Sequence, residues 1–169
     1  MKIVACIKQV PDSAAKVVAE DGQVSWGDAP LVINPWDEFA VEAALQQKEA
    51  HGGEVIAVSM GDENAKEALK HALAMGCDSA IMVSDAALNG LDTQGTARVL
   101  AAAIQKVGEV EAAFFGRQAI DGDTAQVGPQ VAEKLGIPQA TYAIAMEKTA
   151  NGTFRIRRDL GRAEEIVEV

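Results

Sequence analysis

The stretch Gly116-Arg117-Gln118-Ala119-Ile120-Asp121-Gly122-Asp123-Thr124-Ala125-Gln126-Val127-Gly128 carries the residue types a phosphate-holding loop needs. It follows an apolar run and precedes a helical pattern. Gly116 permits close backbone approach at the strand end, and Gly122 permits a positive φ. Thr124 offers a hydroxyl where the helix is expected to start. The free N–H groups of about Ala125 to Gly128 would point at an anion. Arg117 is a fixed cation, aimed either at that anion or at a partner surface. A plainer reading stands beside this one: an ordinary loop in which Asp123 or Thr124 is an N-cap. Asp121 and Asp123 oppose phosphate binding unless they face away from it.

A second group is Asn34-Pro35-Trp36-Asp37. Asn34 reads as the N-cap of a helix, with Pro35 at the first helical position, where no N–H is needed. Trp36, Phe39, Ala40, Ala43 and Ala44 follow at helical spacing and are expected to form one apolar face. Either this is a well-capped helix, or the Asn34 amide also meets a base or ribose. Met60, at a strand end, is either packing or an adenine contact. Cys6 and Cys77 lie in or beside apolar stretches without a CxxC pair, and read as reduced and buried. His51 and His71 read as surface residues. No GxGxxG follows the first strand, and GxxxxGK[ST], HExxH and GxSxG are absent from the sequence. No nucleophile–base pair and no metal-ligand cluster emerges. A nucleotide site without hydrolytic machinery suits a held cofactor better than a consumed substrate.

Such residues need a scaffold that brings them to one rim. Ile3–Ile7, Val55–Val58, Ala80–Val83 and Ala112–Phe115 are short apolar runs that read as buried strands. Between them, helices are expected from Asn34-Pro35 to Gly52, from about Glu63 to Met75, from an Asp92-Thr93 cap to Val107, and from about Thr124 to Leu135. Gly76, Gly108 and Gly136 mark three of the stops. Residues 16–33 read as a surface excursion with a hairpin at Asp21-Gly22, the first strand having ended at Pro11-Asp12-Ser13. This alternation predicts an α/β fold: a doubly wound, mostly parallel sheet with helices on both faces. Asn151-Gly152 adds a C-terminal β-hairpin between Thr141–Lys148 and Phe154–Arg158, with a third strand-like stretch at Glu165–Val169. In such sheets ligands bind at the carboxyl ends of the strands. Cys6–Gln9, Asn34–Asp37, Ser59–Gly61, Gly116–Gly128 and the loop 84–95 are expected there together.

Composition narrows the partners. The 169 residues are 49 % hydrophobic but only 4 % aromatic, which suits small side chains packed on a buried sheet. One domain, 1–169, is expected at this length. A net charge of −10 argues against nucleic acid and against anionic membrane surfaces. No apolar run reaches the roughly 18 residues of a membrane span. Met1-Lys2 leads directly into the first strand pattern, so neither a signal nor a transit peptide is expected, and the expected location is cytoplasmic.

Several motifs resemble one family in its own order. Val4-Ala5-Cys6-Ile7-Lys8-Gln9-Val10-Pro11-Asp12, Ile33-Asn34-Pro35-Trp36-Asp37-Glu38, Val58-Ser59-Met60-Gly61, Ala72-Leu73-Ala74-Met75-Gly76 and Gly116 to Thr124 are similar to electron-transfer flavoprotein β subunits. The resemblance covers essentially the whole chain. It implies an adenine-nucleotide α-hydrolase-like fold and an electron carrier rather than a stand-alone enzyme. It implies AMP in this chain's cleft, or FAD in electron-bifurcating members that accept a hydride equivalent from NADH. The stretch 121–129 looks more like the latter branch. It implies a partner α subunit holding a redox-active FAD, and acyl-CoA dehydrogenase-type or other redox partners. Carried over, the cofactor site is Cys6, Asn34 to Asp37, Met60 and Gly116 to Val127. Family members continue well beyond Val169, so the chain reads as a C-terminally shortened form. Two other functions remain. One is a universal-stress-type ATP-binding module, whose phosphate loop usually ends in Gly-Ser or Gly-Thr where this chain has Gly122-Asp123-Thr124. The other is a structural or assembly domain with an empty cleft.

Overall fold

The computed structural model describes the backbone of residues 1–169 and every side chain except those of Glu20 and Gln23. Strand β1 (Lys2–Ile7) is followed by two short antiparallel pairs. β2 (Gln9–Pro11) pairs with β5 (Leu31–Ile33), and β3 (Val18–Glu20) pairs with β4 (Gln23–Ser25) across the Asp21-Gly22 turn. Helix α1 spans Pro35–His51, β6 Glu54–Met60, α2 Lys66–Met75 after a 3₁₀ turn at Glu63–Ala65, and β7 Ser79–Val83. Helix α3 (Thr93–Val107), β8 (Ala112–Phe115) and α4 (Val127–Leu135) complete the alternating part.

The four central strands are parallel in the order β7-β6-β1-β8. The chain therefore moves outward from β1 to β6 and β7, then crosses back to place β8 on the other side of β1. The gap between β1 and β8 is the point where the winding reverses, the expected ligand position in such sheets.

Strand alternation sends successive side chains to opposite faces. Ile3, Ala5 and Ile7 of β1 pack with Val41, Ala44 and Leu45 of α1 and with Ala68, Leu69 and Ala72 of α2. Val4 and Cys6 pack on the other face with Ala97, Leu100, Ala101 and Ile104 of α3 and Val131 of α4. Each fully buried Val, Leu or Ile contributes roughly 1.5–3 kcal/mol. The expected doubly wound arrangement is present. The many alanines let the helices lie close to the sheet.

Three expectations are corrected here. β1 ends at Ile7 rather than at Pro11, because β2 continues as a separate short strand on β5. The buried face of α1 is Ala40, Val41, Ala44 and Leu45, while Phe39 is 70 % exposed and Trp36 is 36 % exposed. The aromatic pair lies on the adjacent, solvent-facing stripe, with ring centroids 6.2 Å apart. Helix α4 begins at Val127 rather than Thr124. The expected C-terminal hairpin and third strand are present as a three-stranded antiparallel sheet in the order β11-β10-β9, from β9 (Ala143–Lys148), β10 (Phe154–Asp159) and β11 (Glu164–Glu168). Cross-strand ion pairs Arg157–Glu164 (3.4 Å) and Arg158–Glu165 (2.6 Å) lie across β10 and β11. β9 rests against the main body through Gln47 of α1, whose Nε2 donates to the Met146 carbonyl at 3.2 Å.

No helix among the described residues is long and apolar enough to cross a membrane.

Candidate functional site

The switch point is closed by two side chains from the start of α1. Asn34 is 1 % exposed. Its Nδ2 donates to the Gln118 carbonyl at 2.8 Å, and its Oδ1 accepts from the Ile120 N–H at 3.2 Å. The sequence assigned this side chain to the helix end. It caps nothing there; the backbone carbonyl of Asn34 accepts from Asp37 N at 2.8 Å instead, and the amide group staples the loop after β8. A side chain that satisfies two buried backbone groups outcompetes a solvent-facing cap.

Asp37 lies one turn later and is 6 % exposed. Its Oδ2 accepts from Lys8 N at 2.7 Å and its Oδ1 from Gly116 N at 3.1 Å. One carboxylate thus joins the two segments that leave β1 and β8 at the switch point. Burial pushes its carboxyl up to about 7, although the Lys8 and Gly116 amides, the Asn34 amide group and the Lys8 ammonium all favour the charged form. Gly116 is required here. A Cβ built on it would lie 2.1 Å from Asp37 Oδ1 and 2.7 Å from the Trp36 carbonyl carbon. The close approach that this glycine permits is to α1.

The loop that follows presents its backbone outward. Asp123 (φ 55°) and Ala125 (φ 52°) adopt the left-handed region, and Gly122, the residue expected to do so, does not. Gln126, at the N-cap of α4, has φ −105° and ψ −28°. A left-handed residue followed by a right-handed one turns successive amides to one side, forming an anion-binding nest. This break also delays the helix to Val127. Among the described residues, none accepts a hydrogen bond from the backbone N–H groups of residues 124–128. Pro129 has no N–H to offer. The five free amides at the positive end of α4 make an anion cradle of backbone dipoles.

The charged side chains nearby are already engaged. Lys8 Nζ pairs with Asp121 at 2.7 Å, and Gly122 N donates to Asp121 Oδ1 at 2.8 Å. Asp123 accepts from the Gln118 side-chain amide. The Arg117 guanidinium lies 5.6 Å from the Trp36 ring centroid and 4.9 Å from that of Tyr142, held by cation–π attraction between two exposed rings. Both aspartates that opposed phosphate binding are therefore tied to other groups.

On the other flank, α3 begins beside α4. Asp92 caps α3 as expected, its Oδ1 accepting from Gly95 N at 2.7 Å. Thr93 Oγ1 donates to Gln126 Oε1 at 2.7 Å and accepts from Gln130 Nε2 at 3.3 Å. This fixes the N-cap of α4 and brings the loop 84–95 to the same rim as residues 116–128.

Of the residues expected to hold a cofactor, Asn34, Pro35, Trp36, Asp37 and Gly116 to Val127 come together at the β1/β8 rim. Cys6 is at that end of β1, but its thiol is buried in the core beneath α3 and α4, and burial beside Asp37 pushes its pKa well above the usual value. Cys77 is likewise a free, buried thiol. Met60 ends β6, on the far side of β1 from β8, half-buried against the α3-side core. Lys8 and Thr93 fall in two of the segments expected at this rim, Cys6–Gln9 and the loop 84–95. Sequence reasoning missed Gln130, which no local signal marks as a partner of Thr93.

Residues 23–169 match the family described as Electron transfer flavoprotein domain. The electron transfer flavoprotein subunit beta of Clostridium acetobutylicum is 46 % identical over 170 residues, covering 100 % of this chain and 65 % of the relative. The acryloyl-CoA reductase electron transfer subunit gamma of Anaerotignum propionicum is 45 % identical over 172 residues, covering 100 % of this chain and 64 % of the relative. The caffeyl-CoA reductase-Etf complex subunit CarD of Acetobacterium woodii is 43 % identical over 171 residues, with 100 % and 65 % covered. The chain spans a little under two thirds of the length of these relatives.

Proposed function

Because the chain belongs to the electron transfer flavoprotein domain family, we propose that it is the nucleotide-holding part of a β-type subunit and serves electron transfer beside a flavin-bearing partner. In this reading the β1/β8 cleft holds an adenine nucleotide, AMP or the AMP half of FAD. The phosphate rests on the amides of residues 124–128. Asn34 and Asp37 keep the loop in shape, and the rim segments at Cys6, Trp36 and Met60 flank the remainder of the molecule. An FAD bound in the cleft or in the partner supplies the redox chemistry; this chain supplies position and electrostatics. The partner is an α subunit carrying FAD, and electrons pass between an acyl-CoA dehydrogenase-type or other redox enzyme and an acceptor. The site has no nucleophile–base pair poised to cleave a phosphate ester, which suits a resident nucleotide.

The observation that carries this reading is the run of free amides at residues 124–128, next to the left-handed Asp123 and Ala125 at the switch point. In a protein of net charge −10, local dipoles of this kind work against an overall field that repels an anion. The test is to denature the purified protein, with its α partner present, and identify the released nucleotide by chromatography. One equivalent of AMP or FAD per chain is the expected result. A well-folded complex that releases FAD only in the amount held by the partner, and no AMP, refutes the proposal.

A further inference from the structure

Among the described residues, Asp37 is the only acidic or basic side chain in the buried set. Its two oxygens hold the first amides of the two segments that leave β1 and β8, Lys8 N at 2.7 Å and Gly116 N at 3.1 Å. A carboxylate can accept both. A neutral carboxyl cannot do so well, because its hydroxyl is a poor acceptor and carries a hydrogen towards the second N–H. We infer that Asp37 is a positioning residue for the cleft, whose ionised carboxylate fixes the start of the loop at Gly116 and through it the amide cradle at residues 124–128; this rests on the nucleotide-holding reading above. Asn34 fastens the same loop two and four residues further on, so Asp37 sets where the loop begins and Asn34 where it turns.

The group changes charge near neutral pH, since burial pushes it up to about 7. Above that value the clasp holds both amides, and below it one is released. The groups facing it are the Cys6 thiol of β1 and the ammonium of Lys8, the residue after β1, with Asp121 of the loop after β8 beyond Lys8. Glu38, its neighbour in α1, lies 3.0 Å from His71 of α2, so His71→Gln serves as the control for a change in that contact.

The first test needs no variant. The amide proton shifts of Lys8 and Gly116 in the wild-type protein are followed by NMR from pH 5.5 to 8.5. Both are expected to titrate with a common midpoint near 7, while the Leu69 amide on α2 stays still. Flat Lys8 and Gly116 shifts overturn the inference. The second test measures AMP binding by calorimetry at pH 6 and pH 8 for wild type, Asp37→Asn and His71→Gln. Asp37→Asn is expected to bind about tenfold more weakly at pH 8, the effect of losing one hydrogen bond to a charged acceptor. Wild type and His71→Gln are expected to lose about tenfold more affinity than Asp37→Asn between pH 8 and pH 6. Titration of the AMP phosphate itself is common to all three and cancels. An Asp37→Asn protein with the wild-type affinity ratio overturns the positioning role. Titrating amides in a wild-type protein that binds no AMP at pH 8 refute the nucleotide reading and the positioning role with it, leaving Asp37 as a structural clasp.

Discussion

The two rims of the central sheet are built from the same strands and have opposite chemistry. At the carboxyl rim, the amides of residues 124–128 have no partner among the described residues, and both nearby aspartates are engaged elsewhere. At the amino rim, a groove of about 450 Å³ is lined by Met1, Lys2, Gly53, Glu54, Glu109 and Glu111. Its backbone is tied off: Glu54 N donates to Met1 O at 2.8 Å, Glu111 N to Lys2 O at 2.9 Å, and the terminal ammonium to Gly52 O at 2.9 Å. That groove is lined with glutamates, which repel a phosphate. Strand direction decides where the helix N-termini face, and free backbone dipoles mark the candidate site.

Both rims contain a glycine with no room for a side chain, which gives the sharpest contrast. A Cβ on Gly53 would lie 1.8 Å from Met1 O, and one on Gly116 would lie 2.1 Å from Asp37 Oδ1. Gly53→Ala and Gly116→Ala should each cost about 3 kcal/mol in chemical denaturation. Only Gly116→Ala should also lower AMP affinity, by more than about a hundredfold, in the fraction that remains folded. Equal affinity losses in the two variants would erase the distinction between the rims.

Asn34→Ala comes next. It leaves the Gln118 carbonyl and the Ile120 N–H without their buried partner, a penalty of about 2–3 kcal/mol. Hydrogen exchange should show the loss as faster exchange confined to residues 116–128, with the amino rim unaltered.

The pH dependence of stability follows. The folded-state value for Asp37 is raised from 3.8 to about 7. Between those values the folded protein holds a proton that the unfolded chain has released, so stability falls as pH rises and then levels off above about 7. The wild type should lose roughly 1 kcal/mol per pH unit between pH 5 and pH 7 relative to Asp37→Asn. Glu111 at the amino rim behaves oppositely. Its hydrogen bond to Lys148 holds its carboxyl below the usual range, so its small contribution is lost only on further acidification.

The smallest effect expected is for Ala125→Gly. It relieves a left-handed alanine (φ 52°) but loosens the unfolded chain, for a net gain of about 0.5 kcal/mol. Thermal unfolding with a series of reference variants resolves a change of this size.

These residues also show what was legible in the sequence. Apolar runs bounded by glycines gave the central strands and the stops of α1, α2, α3 and α4, because buried parallel strands and C-terminal glycines have local causes. Asp92 was legible as a cap because its acceptor reaches only three residues ahead. Asn34 does stand at the N-cap of α1, but the role of its side chain was not legible, for the complementary reason: its partners at 118 and 120 are more than 80 residues away in sequence. Nothing in the type of Ala125 announces a left-handed backbone, so the start of α4 was placed three residues early. The pairing of β2 with β5 escaped because strands of three residues show no periodicity. Helical spacing puts Trp36 and Phe39 on one apolar face with Ala40 and Ala44, yet the alanine and valine stripe beside them is the part that is buried.

The central claim is that the amides of residues 124–128 receive the phosphate of an adenine nucleotide. Titrating AMP into the isotopically labelled protein and following backbone amide shifts tests it directly. Large, saturable downfield shifts at Thr124, Ala125, Gln126, Val127 and Gly128, with Gly53, Glu54 and Glu111 unmoved, are the predicted result. Saturable shifts centred on the amino rim, or an unchanged stretch at 124–128, would contradict the account.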